Sequence, residues 1–336
     1  MSKSYAIIVG RVLLGAMLIA LVLAPALFGP VHLVLLTQVL TMLCLAMLWN
    51  LIAGYGNIVV IGQHAFVGIG CYAFYGFAIL LGWNFPMALA GVVMVALAFG
   101  AAFYGLIFRL RTAYLAVGSW VVAETLMLSA SRLEAFGGGS GIAVPAAYLR
   151  EFGRRPPERI AALYLWALAL ALIVFFGIWL IMRSRIGLAL GAIRDSEDGA
   201  AVAGVNIRAV RALTFIIAAP FVGLAGVLVT LQKGRISHVA SFSMLDWTIY
   251  VLFIVVIGGL GSLEGPIIGT IIFFVLREVL QDFGVWYLIT LGCIAIFIIL
   301  YEPRGIWGLI RRRLGHDLLP LTHKGPANSN ATGDRA

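Results

Sequence analysis

The sequence is a succession of apolar runs, most of them about as long as a membrane is thick. A helix of about 20 apolar residues crosses a hydrocarbon core of about 30 Å. Only 11% of the 336 residues are charged, whereas 62% are hydrophobic and the mean hydropathy is +1.07. A soluble domain carries about 25% charged residues, so a single soluble domain is excluded. The composition predicts an all-α, polytopic membrane helix bundle.

Breaks between the apolar runs predict about ten membrane-spanning helices. One or two of them are expected to be broken or re-entrant, because the regions 58–82 and 258–281 contain helix breakers. Residues 1–312 are predicted to form the membrane domain, and residues 313–336 a short cytoplasmic tail that is partly disordered. The predicted spans are 10–29, 31–53, 58–82, 85–108, 113–131, 160–182, 212–232, 247–264, 266–281 and 286–302.

The basic residues predict an orientation rather than a nucleic-acid partner. The formal net charge is +9, and ten crossings would place both termini on the side that holds most of the 23 Lys and Arg residues. Lys and Arg collect on the cytoplasmic side of membrane proteins, so both termini are predicted to be cytoplasmic. The Arg-rich loop 132–159 falls on the other side and argues against this orientation.

Two glycine clusters interrupt the apolar runs. The first glycine cluster (residues 54–70) reads GYGN and then GQHAFVGIG, and the second glycine cluster (residues 258–269) begins GGLGSLEGP. Paired helix interruptions in the two halves of a transporter point to a central polar site. Alternatively, the glycines of the first cluster only pack helices, and the second cluster is a plain cytoplasmic hairpin turn. The residues predicted to line a pathway are Gly62, Gln63, His64, Glu124, Gly258, Gly259 and Gly261.

His64 and Glu124 are the pathway candidates with ionisable side chains. Ionisable residues within membrane spans are costly and mark functional sites by default. For His64 the alternative is that a neighbouring carbonyl group satisfies the ring. Glu124 follows Trp120 in an apolar run and is the best single candidate for a buried polar contact.

A charged segment between two spans is predicted to form a helix that does not cross the membrane. Residues 186–206 are rich in Ala and Leu, which favour helix, but the middle of the segment is too charged to span. Small residues on one face suit docking into the groove of a partner protein, whereas a helix lying on lipid headgroups is the alternative. The residues predicted to couple to a partner are Arg194, Glu197, Ala200, Ala201 and Gly204.

The sequence has no motif for nucleotide hydrolysis. A P-loop ends in Gly-Lys-Ser/Thr, but Lys3, Lys233 and Lys324 follow Ser, Gln and His. We therefore expect any ATP-driven step to use another chain. No metal-binding or nucleophile motif stands out either, so the chain is predicted to be neither an enzyme nor dependent on a cofactor.

Six motifs in order resemble the LivM-type permease of branched-chain amino acid ABC importers, across residues 35–312. The resemblance implies a second, LivH-type permease subunit, two cytoplasmic ATPase subunits, a periplasmic binding protein and an inner-membrane location. It also implies that residues 186–206 form the cytoplasmic coupling loop, which favours cytoplasmic termini. The matching segments are 54–72, 109–124, 137–141, 193–206, 258–269 and 302–309.

Departures from the family pattern leave the solute open. Polar positions of many relatives are apolar here, as at Ile58 and Val60, His64 sits one place later than the usual histidine, and Val202 replaces an acidic residue. The leading expectation is import of branched-chain or related amino acids. The alternatives are another small polar solute, such as urea, an amide or another amino acid, and an ion-coupled secondary transporter.

Overall fold

A computed structural model describes residues 19–108, 110, 112–280, 283–302 and 305–314 and consists of helices packed side by side. The predicted all-α class is confirmed. The helices are α1 (described over residues 19–27), α2 (Pro30–Asn50), α3 (Gln63–Tyr75), α4 (Phe85–Ile107), α5 (Thr112–Ala130), α6 (Ala146–Leu149), α7 (Pro156–Arg183), α8 (Arg185–Asp195), α9 (Glu197–Val202), α10 (Ile207–Lys233), α11 (His238–Ser241), α12 (Tyr250–Gly258), α13 (Gly265–Leu280), α14 (Val285–Tyr301) and α15 (Gly305–Leu314).

Short irregular elements complete these helices. π-helical turns extend α2 (Leu51–Tyr55) and α3 (Gly76–Leu80) and precede α12 (Leu245–Ile249). Within the described ranges, the strands are only two residues long, and β1 (Ile142–Ala143) pairs antiparallel with β2 (Arg235–Ile236). A π-turn adds a residue to the helix and shifts the side chains that follow it, a feature that is common at functional sites.

Fewer helices can cross a membrane than the ten predicted. Within the described residues, six are long and apolar enough, and two more qualify only as pairs of helices bent by 87° and 45°. The predicted count of about ten therefore becomes six to eight in the described part of the chain. The six are Pro30–Tyr55, Gln63–Leu80, Phe85–Ile107, Pro156–Arg183, Ile207–Lys233 and His238–Gly258.

The difference has several reasons. Residues 10–18 of the predicted span 10–29 lie outside the described residues. The predicted span 266–281 corresponds to α13, whose 16 residues rise about 24 Å, less than the thickness of the hydrocarbon core. The predicted spans 113–131 and 286–302 coincide with the two bent pairs, in which each helix turns sharply into a short second helix.

Helix α10 lies at the centre of the bundle and packs against α2, α3, α4 and α7. Glycines allow the backbones of α3 and α10 to touch. A Cβ atom at Gly70 would overlap the Gly223 carbonyl group, and one at Gly226 would overlap the carbonyl oxygen of Val67. Small residues at helix contacts are typical of membrane bundles, so these glycines set the position of α3 against α10.

The bundle has two distinct ends. Helix α7 runs from the loop that contains β1 to α8, and α10 runs from α9 back to β2. We call these the strand end, which holds β1 and β2, and the α9 end, which holds α8, α9 and α15. Residues 259–264, between α12 and α13, also lie at the α9 end, because Gly261 contacts α8 there.

The segment between α7 and α10 forms two helices instead of the single helix predicted over residues 186–206. Ser196 separates α8 from α9, with an extended backbone (φ −162°, ψ 115°). Its hydroxyl oxygen accepts a hydrogen bond from the Gly199 backbone N–H at 3.1 Å. Serine favours this N-cap role over a position inside a helix, which explains the break.

Helix α15 packs against protein through its first turn. Trp307 is 3% exposed, and Gly305 lies against the backbone of Gly258 and Gly259. The far end of α15 is different, since Arg311 and Arg312 are exposed, whereas Trp307 is part of the bundle.

Candidate functional site

The first glycine cluster bends the chain back into the bundle. After the π-turn that extends α2, the backbone is non-helical until α3 begins, and Asn57 adopts a left-handed φ of 54°. The Trp49 indole N–H donates a hydrogen bond to the Val60 carbonyl oxygen at 2.9 Å. The predicted interruption in the region 58–82 is therefore present, and it lies before Gln63.

A single serine on α5 binds the backbone where α3 begins. The Ser119 hydroxyl oxygen accepts hydrogen bonds from the N–H groups of Ile61 (3.0 Å) and Gly62 (3.2 Å). A Cβ atom at Gly62 would overlap the Ser119 carbonyl oxygen. Irregular backbone is tolerated at membrane depth only where protein or water surrounds it, and here a side chain of a neighbouring helix replaces the helical hydrogen bonds.

Gln63 begins α3 deep inside the bundle. Its side-chain amide donates a hydrogen bond to the carbonyl oxygen of Leu45 at 3.2 Å, and Leu45 lies near the middle of the Pro30–Tyr55 candidate span. The Gln63 side-chain oxygen is buried and makes no hydrogen bond within the described residues. The adjacent cavity measures only about 20 Å³, which is room for one water at most, so no solute fits there in this conformation.

His64 is fully buried between two helices. Its backbone N–H and its ring Nδ1 lie 3.3 Å and 3.0 Å from the Thr248 hydroxyl oxygen. Its Nε2 lies 3.8 Å from a Glu124 carboxylate oxygen and makes no hydrogen bond within the described part of the chain. A threonine hydroxyl, rather than the carbonyl group of the alternative, therefore satisfies one ring nitrogen, while the other faces an acid.

Glu124 links His64 to an exposed face of α5. Its carboxylate accepts a hydrogen bond from the Trp120 indole N–H at 3.1 Å, and its side chain is 31% exposed. Glu124 is therefore not the fully buried contact that was predicted. A partly exposed carboxylate on a membrane helix calls for a polar surrounding.

The second glycine cluster is a turn between two helices rather than a break inside one span. Gly258 ends α12, and Gly259 and Gly261 have φ values of 131° and 71°, which favour glycine. Asn50, at the end of α2, accepts a hydrogen bond from the Gly261 N–H at 2.8 Å and donates one to the Ser262 carbonyl oxygen at 2.7 Å. This arrangement matches the hairpin alternative.

The two glycine clusters touch each other. A Cβ atom at Gly54 would lie 2.5 Å from the Gly261 backbone nitrogen, and Asn50 contacts both segments at only 2% exposure. The two glycine clusters are therefore in direct contact. This contact lies at the α9 end of the bundle, whereas the polar group of Gln63 and His64 lies deeper.

Arg194 connects α8 to this junction. Its guanidinium donates a hydrogen bond to the Gly261 carbonyl oxygen at 3.0 Å and pairs with Asp195 at 3.1 Å. The guanidinium carbon also lies 5.7 Å from the centre of the Tyr55 ring, within the range of a cation–π contact. One side chain of the predicted coupling segment thus contacts both glycine clusters.

Glu197 makes a second connection through Arg211 of α10. The two side chains form a bidentate ion pair with distances of 2.8 Å and 2.9 Å. Arg211 also donates a hydrogen bond to the Gly56 carbonyl oxygen at 2.9 Å. Bidentate Arg–carboxylate pairs fix geometry as well as charge, so α9 is held to the start of the first glycine cluster.

The remaining residues of the predicted coupling set divide into buried and exposed. Ala200 is 2% exposed and packs within the chain. Ala201 and Gly204 are exposed, and Val202 between them is 91% exposed. The exposed residues 201–204, at the end of α9 and just after it, are small or apolar and include Val202, whereas Glu197 and Asp198 at the start of α9 are exposed and charged.

Sequence reasoning missed several partners of these residues. Asn50, Ser119, Thr248 and Arg211 contact the predicted site residues, yet none was singled out. Asn50 carried the only local signal, because it is a polar residue at the end of an apolar run directly before the first glycine cluster. The described residues contain no group of three His, Cys, Asp or Glu side chains that could hold a metal ion.

Comparison with known proteins gives a consistent result. Residues 31–300 match the family described as branched-chain amino acid transport system / permease component. The high-affinity branched-chain amino acid transport system permease proteins LivM of Escherichia coli and Salmonella typhimurium are each 29% identical over 313 residues, covering 85% of this chain and 72% of theirs. The permease protein BraD of Pseudomonas aeruginosa is 33% identical over 140 residues, covering 40% of this chain and 44% of its own. No solved structure matches the chain significantly.

Proposed function

The chain belongs to the family of permease components of branched-chain amino acid transport systems, and from this premise we propose that it carries such amino acids through a membrane as part of an ATP-binding cassette importer. The chain is a permease component and a multi-pass membrane protein. The substrates are branched-chain or related amino acids, which enter the cytoplasm. The membrane is the inner membrane of a bacterium.

The observation that carries this proposal is the connection of α8 and α9 to both glycine clusters. Arg194 holds the turn between α12 and α13, and Glu197 holds the start of the first glycine cluster through Arg211. A push on α9 therefore acts on two helix junctions at once. Packed interfaces of this kind switch between discrete arrangements instead of deforming continuously.

The push comes from partner subunits, because the sequence has no P-loop. Two cytoplasmic ATPase subunits engage the exposed face of α9 around Val202. A second, LivH-type permease completes the membrane part, and a periplasmic binding protein delivers the amino acid. Binding and hydrolysis of ATP by the partners then bias the bundle between its two states.

This assignment fixes the orientation of the chain. The α9 end faces the cytoplasm, and the strand end faces the periplasm. Exposed arginines near the α9 end, at Arg183, Arg185 and Arg208, agree with the excess of basic residues on cytoplasmic surfaces. Both termini are then cytoplasmic.

Uptake into proteoliposomes tests the proposal. The chain, reconstituted with the second permease, the ATPase subunits and the binding protein, is expected to accumulate labelled L-leucine only when ATP is supplied. Unlabelled valine and isoleucine are expected to compete, whereas urea and acetamide are not. Uptake by this chain alone, driven by a proton or sodium gradient, would contradict the proposal and favour a secondary transporter.

A further inference from the structure

A second polar region lies at the strand end, far from the glycine clusters. It is a cavity of about 260 Å³ between α2, α10, α13 and the π-turn before α12. Lys233, which lines it, is the last of the 27 residues of α10. At 1.5 Å per residue, the cavity lies about 40 Å from the start of α10, where α9 ends.

Charges of both signs surround this cavity without pairing. Asp246, Lys233 and Arg277 line it, and within the described residues none of these three side chains forms an ion pair. Lys233 lies 5.0 Å from the centre of the Trp247 ring. Charged residues in a membrane bundle normally pair or face a polar cavity. Here one carboxylate and two cationic side chains remain available to a ligand.

The rest of the cavity wall combines polar and apolar groups. Gln232 donates a hydrogen bond to the Thr41 hydroxyl oxygen at 3.3 Å, and both residues line the cavity. Val34, Met42 and Val229 supply an apolar surface beside them. A pocket with a few placed charges and an apolar wall is typical of sites for small molecules.

We propose that this cavity binds a free amino acid as a zwitterion, with Asp246 facing the ammonium group and Arg277 and Lys233 facing the carboxylate. The apolar wall receives an aliphatic side chain. The inference rests on the proposed function, in which the amino acid arrives at the strand end before it reaches Gln63 and His64. A lipid headgroup with an ammonium group and a phosphate has similar chemistry, and the test separates the two sources.

The test measures equilibrium binding of labelled L-leucine to the full chain in nanodiscs of phosphatidylglycerol, without ATP or partner subunits. The unmodified chain is expected to bind leucine saturably. Asp246→Asn and Arg277→Gln are each expected to weaken binding at least about tenfold, because each loses a charge-assisted hydrogen bond. Glu278→Gln is the matched control, since Glu278 follows Arg277 on α13 but is exposed and does not line the cavity.

Two analogues of leucine identify which end of the ligand each residue recognises. Leucine methyl ester lacks the carboxylate, so Arg277→Gln is expected to weaken its binding much less than that of leucine. The anion 4-methylpentanoate lacks the ammonium group, so Asp246→Asn is expected to leave its affinity unchanged or to raise it. A variant that merely unfolds would lose all three ligands together, and a thermal unfolding curve in the same nanodiscs identifies that case.

Several results would overturn the assignment. Absence of saturable leucine binding to the unmodified chain is one, and equal affinity in all variants is another. Binding of glycerophosphoethanolamine without binding of leucine would make the cavity a lipid headgroup site. The binding test contains no ATP and no partner subunit, so its failure says nothing about the coupling role of α8 and α9. The proposed binding site and the proposed coupling role can therefore fail independently.

Discussion

The two glycine clusters have similar compositions but different positions and surroundings. The first sends the chain back into the bundle and starts α3 beside the middle of α2. The second turns the chain at the α9 end between α12 and α13. Glycine content marks a break in a helix, and the polar partners around the break decide whether it lies inside the bundle or at its end.

Those partners are different in kind. Around the first cluster they are buried side chains of neighbouring membrane helices, such as Ser119 and Thr248. Around the second they are Asn50, which is buried at the end of a span, and Arg194, whose side chain is 42% exposed. The first arrangement is interior, whereas the second connects the bundle to α8, part of the segment that we propose meets partner proteins.

The largest expected effect on stability is at Gly62. Gly62→Ala would drive a Cβ atom into the Ser119 carbonyl oxygen, and overpacking of a core costs about 1–3 kcal/mol. We expect a clear loss of thermal stability in detergent. Gly105→Ala on α4 is the control, because no atom lies within 4 Å of its added Cβ. Equal unfolding temperatures for both variants would show that the start of α3 is not rigid.

The second-largest loss of stability is expected at the contact between the two glycine clusters. Asn50→Ala removes two hydrogen bonds and leaves the Gly261 N–H and the Ser262 carbonyl oxygen without their partner, at a cost of about 2 kcal/mol. Asn84→Ala, which removes one exposed cap of α4, is expected to cost about 1 kcal/mol. Chemical unfolding measures both values. A smaller loss at Asn50 than at Asn84 would contradict the structural importance of the junction.

Glu124 is expected to have the smallest effect on stability and a larger one on uptake. Glu124→Gln keeps an acceptor for Trp120 but removes the charge that faces His64. Because the side chain is 31% exposed, the unfolding free energy is expected to change by less than about 1 kcal/mol. Leucine uptake is expected to fall several-fold, and Glu134→Gln in the loop after α5 is expected to transport normally. Normal uptake by Glu124→Gln would remove Glu124 from the pathway.

Much of the fold could be predicted from the sequence, because the signals are local. The apolar runs define the membrane helices, and the glycines of the first glycine cluster predict the break before Gln63. The charged segment 186–206 is too polar to span. Even the break between α8 and α9 has a local sign in Ser196, a residue that favours helix caps.

The contacts that form the candidate site were not predictable, because they join distant parts of the chain. Asn50 binds Gly261 across 211 residues, and His64 meets Thr248 across 184 residues. A single sequence carries no record of such pairs. The predicted number of spans was wrong for a different reason, since α13 is apolar over most of its length yet, with 16 residues, is too short to be counted as a span by itself.

The most direct test of the central claim is the amount of ATP hydrolysed per leucine imported when Arg194 is changed. In proteoliposomes with all partner subunits, Arg194→Glu breaks the bond to Gly261 and is expected to keep ATP hydrolysis while leucine uptake falls at least about tenfold. Arg185→Glu, at an exposed position of the same helix, is expected to keep the ratio of the unmodified protein. An unchanged ratio for Arg194→Glu would contradict the account that α8 and α9 drive the two glycine clusters.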